Sequence, residues 1–389
     1  MAPEAGVVPD PDVTARVAWL ERFYDLVFVA AVGRFANELG TKPDLAHIVT
    51  VLGWLVSLWF AWFLVTLRLN RFPDDGWGMR TVVVIQLLAT TVATAAAISV
   101  TTTVDNTGGY IATACIGLGI TLLYVTIPRH DAPDRRLVVA PAVGSLAVSA
   151  AILLSLVAPR PVATSLAIVI GIVFVVVLLA WYLPRLAVIR PVDPHHAADR
   201  HAQLFMVLMG LSFLKVAFAT DPKHGVEYGV IVAAFAVGFA FWTMYIDGVL
   251  SLGFPMPPST QRTWLVAQLL LSIGVTVAAA AVIAFPPTGS GVLTHSGALL
   301  EGGSIVAVLG AFAVLAATAA RPERNLVVSR SLAAAAVVVV TLSASVVSIV
   351  RDDAFSGVLA LVIVGAAIVD GFLRSRTQNE RQEAGGGCS

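Results

Sequence analysis

Two carboxylates stand one helical turn apart in an otherwise apolar run: Glu21 and Asp25, within WLERFYDLVFVAAVGRFANELG (residues 19–40). Residues four apart share one face of a helix. On a membrane helix such a face can bind a proton or a small cation, or it can be neutralised by arginines from neighbouring helices. A charge at the bilayer centre costs about 2.5–3.5 kcal/mol on the insertion scale, and less near the surface. These acids therefore need partners. Arg80 and Arg262 each open another apolar run, at the depth expected for Glu21 and Asp199. The expected structural ion pairs are Glu21 with Arg80 and Asp199 with Arg262, which would clamp a helix bundle. Asp25 lies one turn deeper and is expected to face a cavity, as the coordinating or proton-accepting group of a path. Clamping is the alternative role for the same acids.

Other polar and aromatic residues lie at comparable depth. Gln86 and Gln268 fall about a turn and a half into their runs, where an amide either bonds a neighbouring helix or lines a path. Trp59 and Trp62 follow Trp54 and are interleaved with Phe60 and Phe63. Trp59 is too deep for an interfacial aromatic belt. Packing is one reading of this stripe. An aromatic wall around a lipid tail or a cation is the other. Arg34 and Glu38, four apart, are expected to pair, and Lys215 to reach outward to the surface. Asp247 and Asp370 lie near the ends of their runs and are expected to be solvated there.

The elements that hold these residues follow from composition. The chain has 389 residues, 58% hydrophobic and 12% charged, with a mean hydropathy of +0.88. A soluble domain carries about 25% charged residues. Apolar runs of spanning length recur throughout, so the chain reads as an all-α, polytopic membrane helix bundle. Twelve spans are expected: 18–39, 47–69, 80–101, 109–128, 137–157, 162–184, 201–220, 226–248, 263–285, 298–319, 328–350 and 355–373. Of the Lys and Arg residues, 17 fall at one set of span ends, 4 at the other and 3 within spans. The positive-inside rule then places both termini in the cytoplasm and the protein in the cell membrane. No cleaved signal peptide is expected from MAPEAGVVPDPD, which lacks a basic and an apolar region.

The two halves resemble each other. RTVVVIQLL (80–88) and RTWLVAQLL (262–270) share R-T-x4-Q-L-L at an offset of 182, and both open a span. At an offset of 178, ERFYDLVFV meets DRHAQLFMV, and Asp25 meets Gln203. Six spans per repeat is an even number, so the repeats are expected to be parallel, related by an axis along the membrane normal. The expected organisation is a cytoplasmic segment 1–17, a first six-span repeat 18–190, a second 191–373, and a disordered cytoplasmic tail 374–389.

Several function classes lose support. Lys+Arg and Asp+Glu balance at 24 each, which gives no electrostatic case for nucleic acid. No phosphate-binding glycine loop, dinucleotide fingerprint or nucleophile elbow occurs, so ATP-driven transport within the chain is not expected. The two cysteines, one in a span and one in the tail, do not suggest a disulfide. No resident cofactor or metal is expected. Asp74, Asp75, Asp131 and Asp134 beside Arg68, Arg71, Arg135 and Arg136 could hold Mg²⁺ and a diphosphate, or could be solvated loop charge. His195, His196, Asp199 and His201 lack any established metal-ligand spacing.

WLERFYDLVFVAAVGRF resembles the opening of the low-temperature-requirement A (LtrA) family, close to E-L-F-F-D-L-V-F-V. WFAWFLVTLRLNRFPDD is similar to that family's Trp-rich second span and N-R-F-x-x-D-D loop. DRHAQLFMVLMG and FWTMYID are similar to its seventh span and to its W-W-x-Y-F-D ending. The chain departs from the family pattern after Gly210, where Leu211 and Ser212 replace a usual Glu, and near Gln268, which stands close to a usual His. A looser similarity runs to a potassium-channel family with F-S-D in the first span of each six-helix repeat. FYD (23–25) fits it and HAQ (201–203) does not.

Two readings follow. The first is a permease or channel for an ion or small solute, running between the halves with Asp25 in the path. The second is a membrane-embedded enzyme acting on a lipid or isoprenoid diphosphate, the only reading that would use Mg²⁺. In both, the bilayer is the surrounding partner and the substrate is a small ion or lipid-like. A homo-oligomer is compatible with either.

Overall fold

The computed structural model describes residues 11–41, 45–74, 76–97, 107–127, 135–154, 156–157, 160–189, 191–219, 228–284, 295–346 and 352–386. Among them there is no strand. The helices are α1 (Pro11–Thr41), α2 (Leu45–Arg71), α3 (Trp77–Ala97), α4 (Thr107–Val125), α5 (Arg135–Leu154), α6 (Arg160–Val177), α7 (Leu183–Ile189), α8 (Pro194–Ala219), α9 (Tyr228–Ile246), α10 (Pro258–Ala284), α11 (His295–Thr318), α12 (Arg324–Val346) and α13 (Asp352–Gly386). A π-helical turn, Leu178–Tyr182, joins α6 to α7. Each expected span coincides with a helix, the sixth being α6, the π turn and α7 together. Among the described residues nine helices are long and apolar enough to cross a membrane, and α5 contributes a shorter apolar helix. Helix satisfies its own backbone groups, which hydrocarbon cannot do.

α13 continues as helix through Gly386, past the apolar stretch. The sequence reading expects a disordered tail from 374. Ser375–Ala384 is rich in Arg, Gln and Glu, which favour helix once a preceding helix has supplied the nucleus.

The chain forms two compact units: Met1–Arg34 with Ser57–Ala197, and Phe35–Val56 with Ala198–Ser389. The segment Phe35–Val56, however, belongs with the second half.

In the first unit α3, α4 and α5 pack in succession, and α6 packs on α5. Small polar residues tie them together: Ser149 Oγ donates to Ala114 O (3.0 Å) and Thr121 Oγ1 to Ala142 O (3.1 Å). Such bonds are a main adhesive between helices where lipid is as apolar as leucine. Tyr124 on α4 donates to Leu64 O of α2 (3.0 Å).

In the second unit α10, α11 and α12 pack in succession, and α13 lies against α9 and α12. A Cβ at Gly302 on α11 would overlap Thr341 of α12, so the glycine sets how closely these helices approach. After α9 the chain turns through Leu250–Leu252 and ends that turn at Gly253, whose φ of +80° suits glycine. There Gly253 O and Leu252 O accept the amides of Ala320 and Arg321, each at 3.1 Å.

The centre of this unit is Arg330, fully buried on α12. Its Nε donates to Asp370 Oδ2 on α13 (2.7 Å), one terminal nitrogen to Phe312 O on α11 (3.0 Å) and the other to Met244 O on α9 (3.1 Å). The guanidinium also lies over the Phe312 ring, 5.7 Å from its centroid. Asp370 is itself 0% exposed, which corrects the expectation that a charge near a helix end would be solvated. Arg330→Leu is expected to cost about 3–5 kcal/mol, because it strands a buried carboxylate. Arg330→Leu with Asp370→Leu should melt above Arg330→Leu alone. Thermal unfolding of the purified protein measures both.

Candidate functional site

Asp25 lies midway along α1, 3% exposed, and accepts a 2.7 Å hydrogen bond from the indole Nε1–H of Trp62 on α2. The indole can do this because its ring is held by aromatic packing. Phe28, one turn along α1 from Asp25, lies 6.1 Å from Trp62. Trp59 lies 6.0 Å from Trp62, stacks on Phe63 at 5.5 Å and meets Phe60 edge-on at 5.3 Å. Trp59 and Trp62 are both fully buried, so this stripe is a packed cluster rather than an open wall. Two polar atoms beside it, the Tyr24 hydroxyl and Trp59 Nε1, are buried without a hydrogen-bond partner. Burying such a group without a partner carries a desolvation cost.

Glu21, one turn before Asp25, is also buried. Its Oε2 stands 2.9 Å from His196 Nε2 at the start of α8, and the histidine is partly exposed. His196 is positioned by a capped helix start. Asp193 Oδ1 accepts the amides of His195 (2.9 Å) and His196 (3.3 Å), and Pro194 fills the first turn. Asn70, at the end of α2, holds Asp193 in turn: its Oδ1 accepts Asp193 N–H (3.1 Å) and its Nδ2 donates to Asp193 O (3.3 Å). So Asn70, Asp193, His196 and Glu21 form one chain of contacts leading toward Asp25.

Arg68, two residues before Asn70, is 1% exposed. Its Nε donates to Leu123 O on α4 (3.1 Å), a terminal nitrogen donates to Phe72 O, and the other lies 3.8 Å from Asp74 Oδ2. Asp74 Oδ1 accepts Gly76 N–H at 2.8 Å. Of the loop set considered for Mg²⁺ and diphosphate, Arg68 and Asp74 are therefore engaged in folding the turn. Asp75, Asp131 and Asp134 lie outside the described residues, as do the side chains of Arg135 and Arg136. Among the described residues no three of His, Cys, Asp and Glu come together as a metal-binding group.

The remaining expected residues are placed as follows. The guanidinium of Arg80 lies over Trp77, 5.6 Å from the ring centroid. Asp199 is exposed and Arg262 half-buried. Arg200, beside Asp199, donates to Gln203 Oε1 at 3.1 Å. Gln268 Nε2 on α10 donates to the Tyr245 hydroxyl on α9 at 3.0 Å, an interhelical bond. Gln86 on α3 is fully buried against Gly119 of α4, with neither amide atom hydrogen-bonded. Lys215 does not reach outward but donates to Asn37 Oδ1 at 2.7 Å. Asp247, half exposed, is 3.5 Å from Arg374.

The sequence reading does not name His196 as a neighbour of Glu21, nor Asn70 as the holder of Asp193. These residues are separated by 175 and 123 positions. No local spacing encodes such contacts.

The family model described as bacterial low temperature requirement A protein (LtrA) matches residues 16–369. No curated protein matches the chain.

The Asp25–Trp62 bond sets a direct test of the site. Trp62→Phe keeps most of the ring and removes the donor, and is expected to cost about 1–3 kcal/mol. In an Asp25→Ala background the same change should cost markedly less, since the carboxylate that accepts this bond is gone. A double-mutant cycle on thermal or denaturant unfolding measures the coupling.

Proposed function

The chain belongs to the LtrA family, a family of membrane-type helical proteins, and we propose that it is a permease or channel-like protein for a small ion or solute, with Asp25 in the path. The observation that carries this reading is the setting of Asp25. A buried carboxyl group sits midway along α1 and accepts a hydrogen bond from the neutral indole of Trp62. Buried carboxyls on helices within a membrane bundle are a mark of ion and proton paths. Glu21, one turn before Asp25 on the same helix face, meets the partly exposed His196 of α8.

The reading includes two parallel six-span repeats, both termini in the cytoplasm and residence in the cell membrane. Three observations support the repeat. α3–α4–α5 and α10–α11–α12 pack in the same succession within their units. Gln86 and Gln268 are buried at matching positions of α3 and α10. Lys215 bonds Asn37, the residue it matches under the 178-residue shift, as equivalent residues near a twofold axis would. The excess of arginine at one set of span ends supports the orientation.

The test is ion and proton flux in proteoliposomes, with Asp25→Asn alongside. Flux that the variant loses supports the path through Asp25. Flux retained by a folded Asp25→Asn protein removes Asp25 from it. No flux from folded wild-type protein favours a membrane-embedded enzyme, to be assayed with lipid and isoprenoid diphosphate substrates.

A further inference from the structure

Within the first unit, α5 and the sixth span enclose a cavity of about 480 Å³. Its walls include Pro141, Val143 and Ala147 from α5, and Val173, Leu178 and Tyr182 from the sixth span. All the lining residues but Tyr182 are apolar. Val143 and Val173 are each more than half exposed, so the cavity opens at the protein surface as a groove. Its volume falls within the range of about 300–1,000 Å³ typical of small-molecule sites.

Both walls depart from regular helix at this groove. Pro141 interrupts the hydrogen-bond ladder of α5, and the other wall carries the π turn Leu178–Tyr182. Both residues Pro141 and Tyr182 line the cavity, so the two irregularities face the same space. π turns recur at functional sites, because each costs helix geometry that packing alone does not repay.

One turn beyond Tyr182 stands Arg185, exposed, its guanidinium 4.9 Å from the ring centroid of Trp181. One terminal nitrogen donates to Trp181 O at 3.2 Å. A guanidinium has five N–H donors. Among the described residues no carboxylate pairs with Arg185. A fixed cation with free donors therefore stands just beyond the end of a hydrocarbon-lined groove, near the end of a spanning helix.

We propose that this groove is a binding site for an anionic phospholipid, one acyl chain lying between α5 and the sixth span and the phosphate resting on Arg185. The chemistry on both parts is complementary. The groove offers no polar group beyond the Tyr182 hydroxyl, which suits an alkyl chain and not a solute. Arg185 offers a planar fork of donors suited to phosphate. Trp181 holds the guanidinium against its ring face toward the end of the spanning helix. The site is separate from Asp25 and does not depend on the transport reading.

The experiment uses purified full-length protein and reads bound lipid by native mass spectrometry and lipid-induced thermal stabilisation. The probes are phosphatidylglycerol, phosphatidylcholine with the same chains, and soluble glycerol phosphate. Wild type is expected to bind phosphatidylglycerol in preference to phosphatidylcholine. Arg185→Gln should lower phosphatidylglycerol binding about tenfold, the scale of one lost charge-assisted contact, and phosphatidylcholine binding by less, since its choline already offsets the phosphate charge at Arg185. Arg185→Lys should restore part of the phosphatidylglycerol binding. Ala147→Trp, at an exposed position of the groove wall, should abolish binding of both lipids; Val143→Phe is a second filling variant should the first not fold. Equal binding of the two lipids by wild type, or unchanged lipid binding in folded filling variants, overturns the proposal. Stabilisation by glycerol phosphate alone to the level of phosphatidylglycerol also overturns it, since the ligand is then a free phosphate.

Discussion

A guanidinium taken out of water has to find its hydrogen bonds inside the protein, and Arg330 meets that requirement by joining four helices. Its partners are a carboxylate on α13, backbone carbonyls of α9 and α11, and the face of Phe312. Each bond fixes the depth of one helix against α12. The Coulombic attraction to Asp370 only offsets the cost of burying both charges, so the pair contributes specificity more than stability. A helix pair can slide along an apolar seam with little penalty; it cannot slide past Arg330 without leaving a buried charge unpaired. Arg68 plays the corresponding part in the first unit, where its bonds reach Leu123 O on α4 and the turn after α2. Leu123 O and Met244 O lie in the last turns of their helices, where carbonyls lack an intrahelical donor.

These two arginines also show where sequence reading succeeds and stops. Every expected span is a helix, because hydrocarbon allows a long apolar run almost no other conformation. Arg330 and Asp370 look like ordinary end charges by position, as Arg330 is only six residues into α12. Their burial depends on how deeply α9, α11 and α13 enclose that level, and sequence periodicity carries no such information. The N-R-F-x-D-D stretch reads as a possible phosphate loop from its residue types. In the fold Arg68 and Asp74 close a turn and Asn70 holds the start of α8. Polar residues that fold a loop and polar residues that bind a ligand have the same composition; only their partners distinguish them.

The candidate site was partly legible for a simpler reason. Glu21 and Asp25 fall on one face through helical spacing alone, and Trp59 and Trp62 were visible as residues too deep for an interface. The partners were not visible. Asp25 meets Trp62 across 37 residues and Glu21 meets His196 across 175. Gln268 and Gln86 occupy matching positions, yet Tyr245 supplies a partner for Gln268, while Gln86 packs on Gly119 with its amide unbonded. An amide without a partner in an apolar setting is a place where water or a solute would be stabilised on entering.

Asp25 and Asp370 are both buried acids, and they accept from donors of different kinds. Asp370 is bonded to a guanidinium that is itself locked by two carbonyls, so displacing that cation would unpack α12. Asp25 is bonded to an indole packed against the tilted rings of Phe28 and Trp59, a packing that does not require the N–H to be occupied. Under the 178-residue shift the partner position of Asp25 is Gln203, a neutral amide engaged by Arg200 of its own helix. On the repeat reading, then, the two halves differ at this position in a group that can gain or lose charge, and the packing around that group is aromatic rather than arginine-centred.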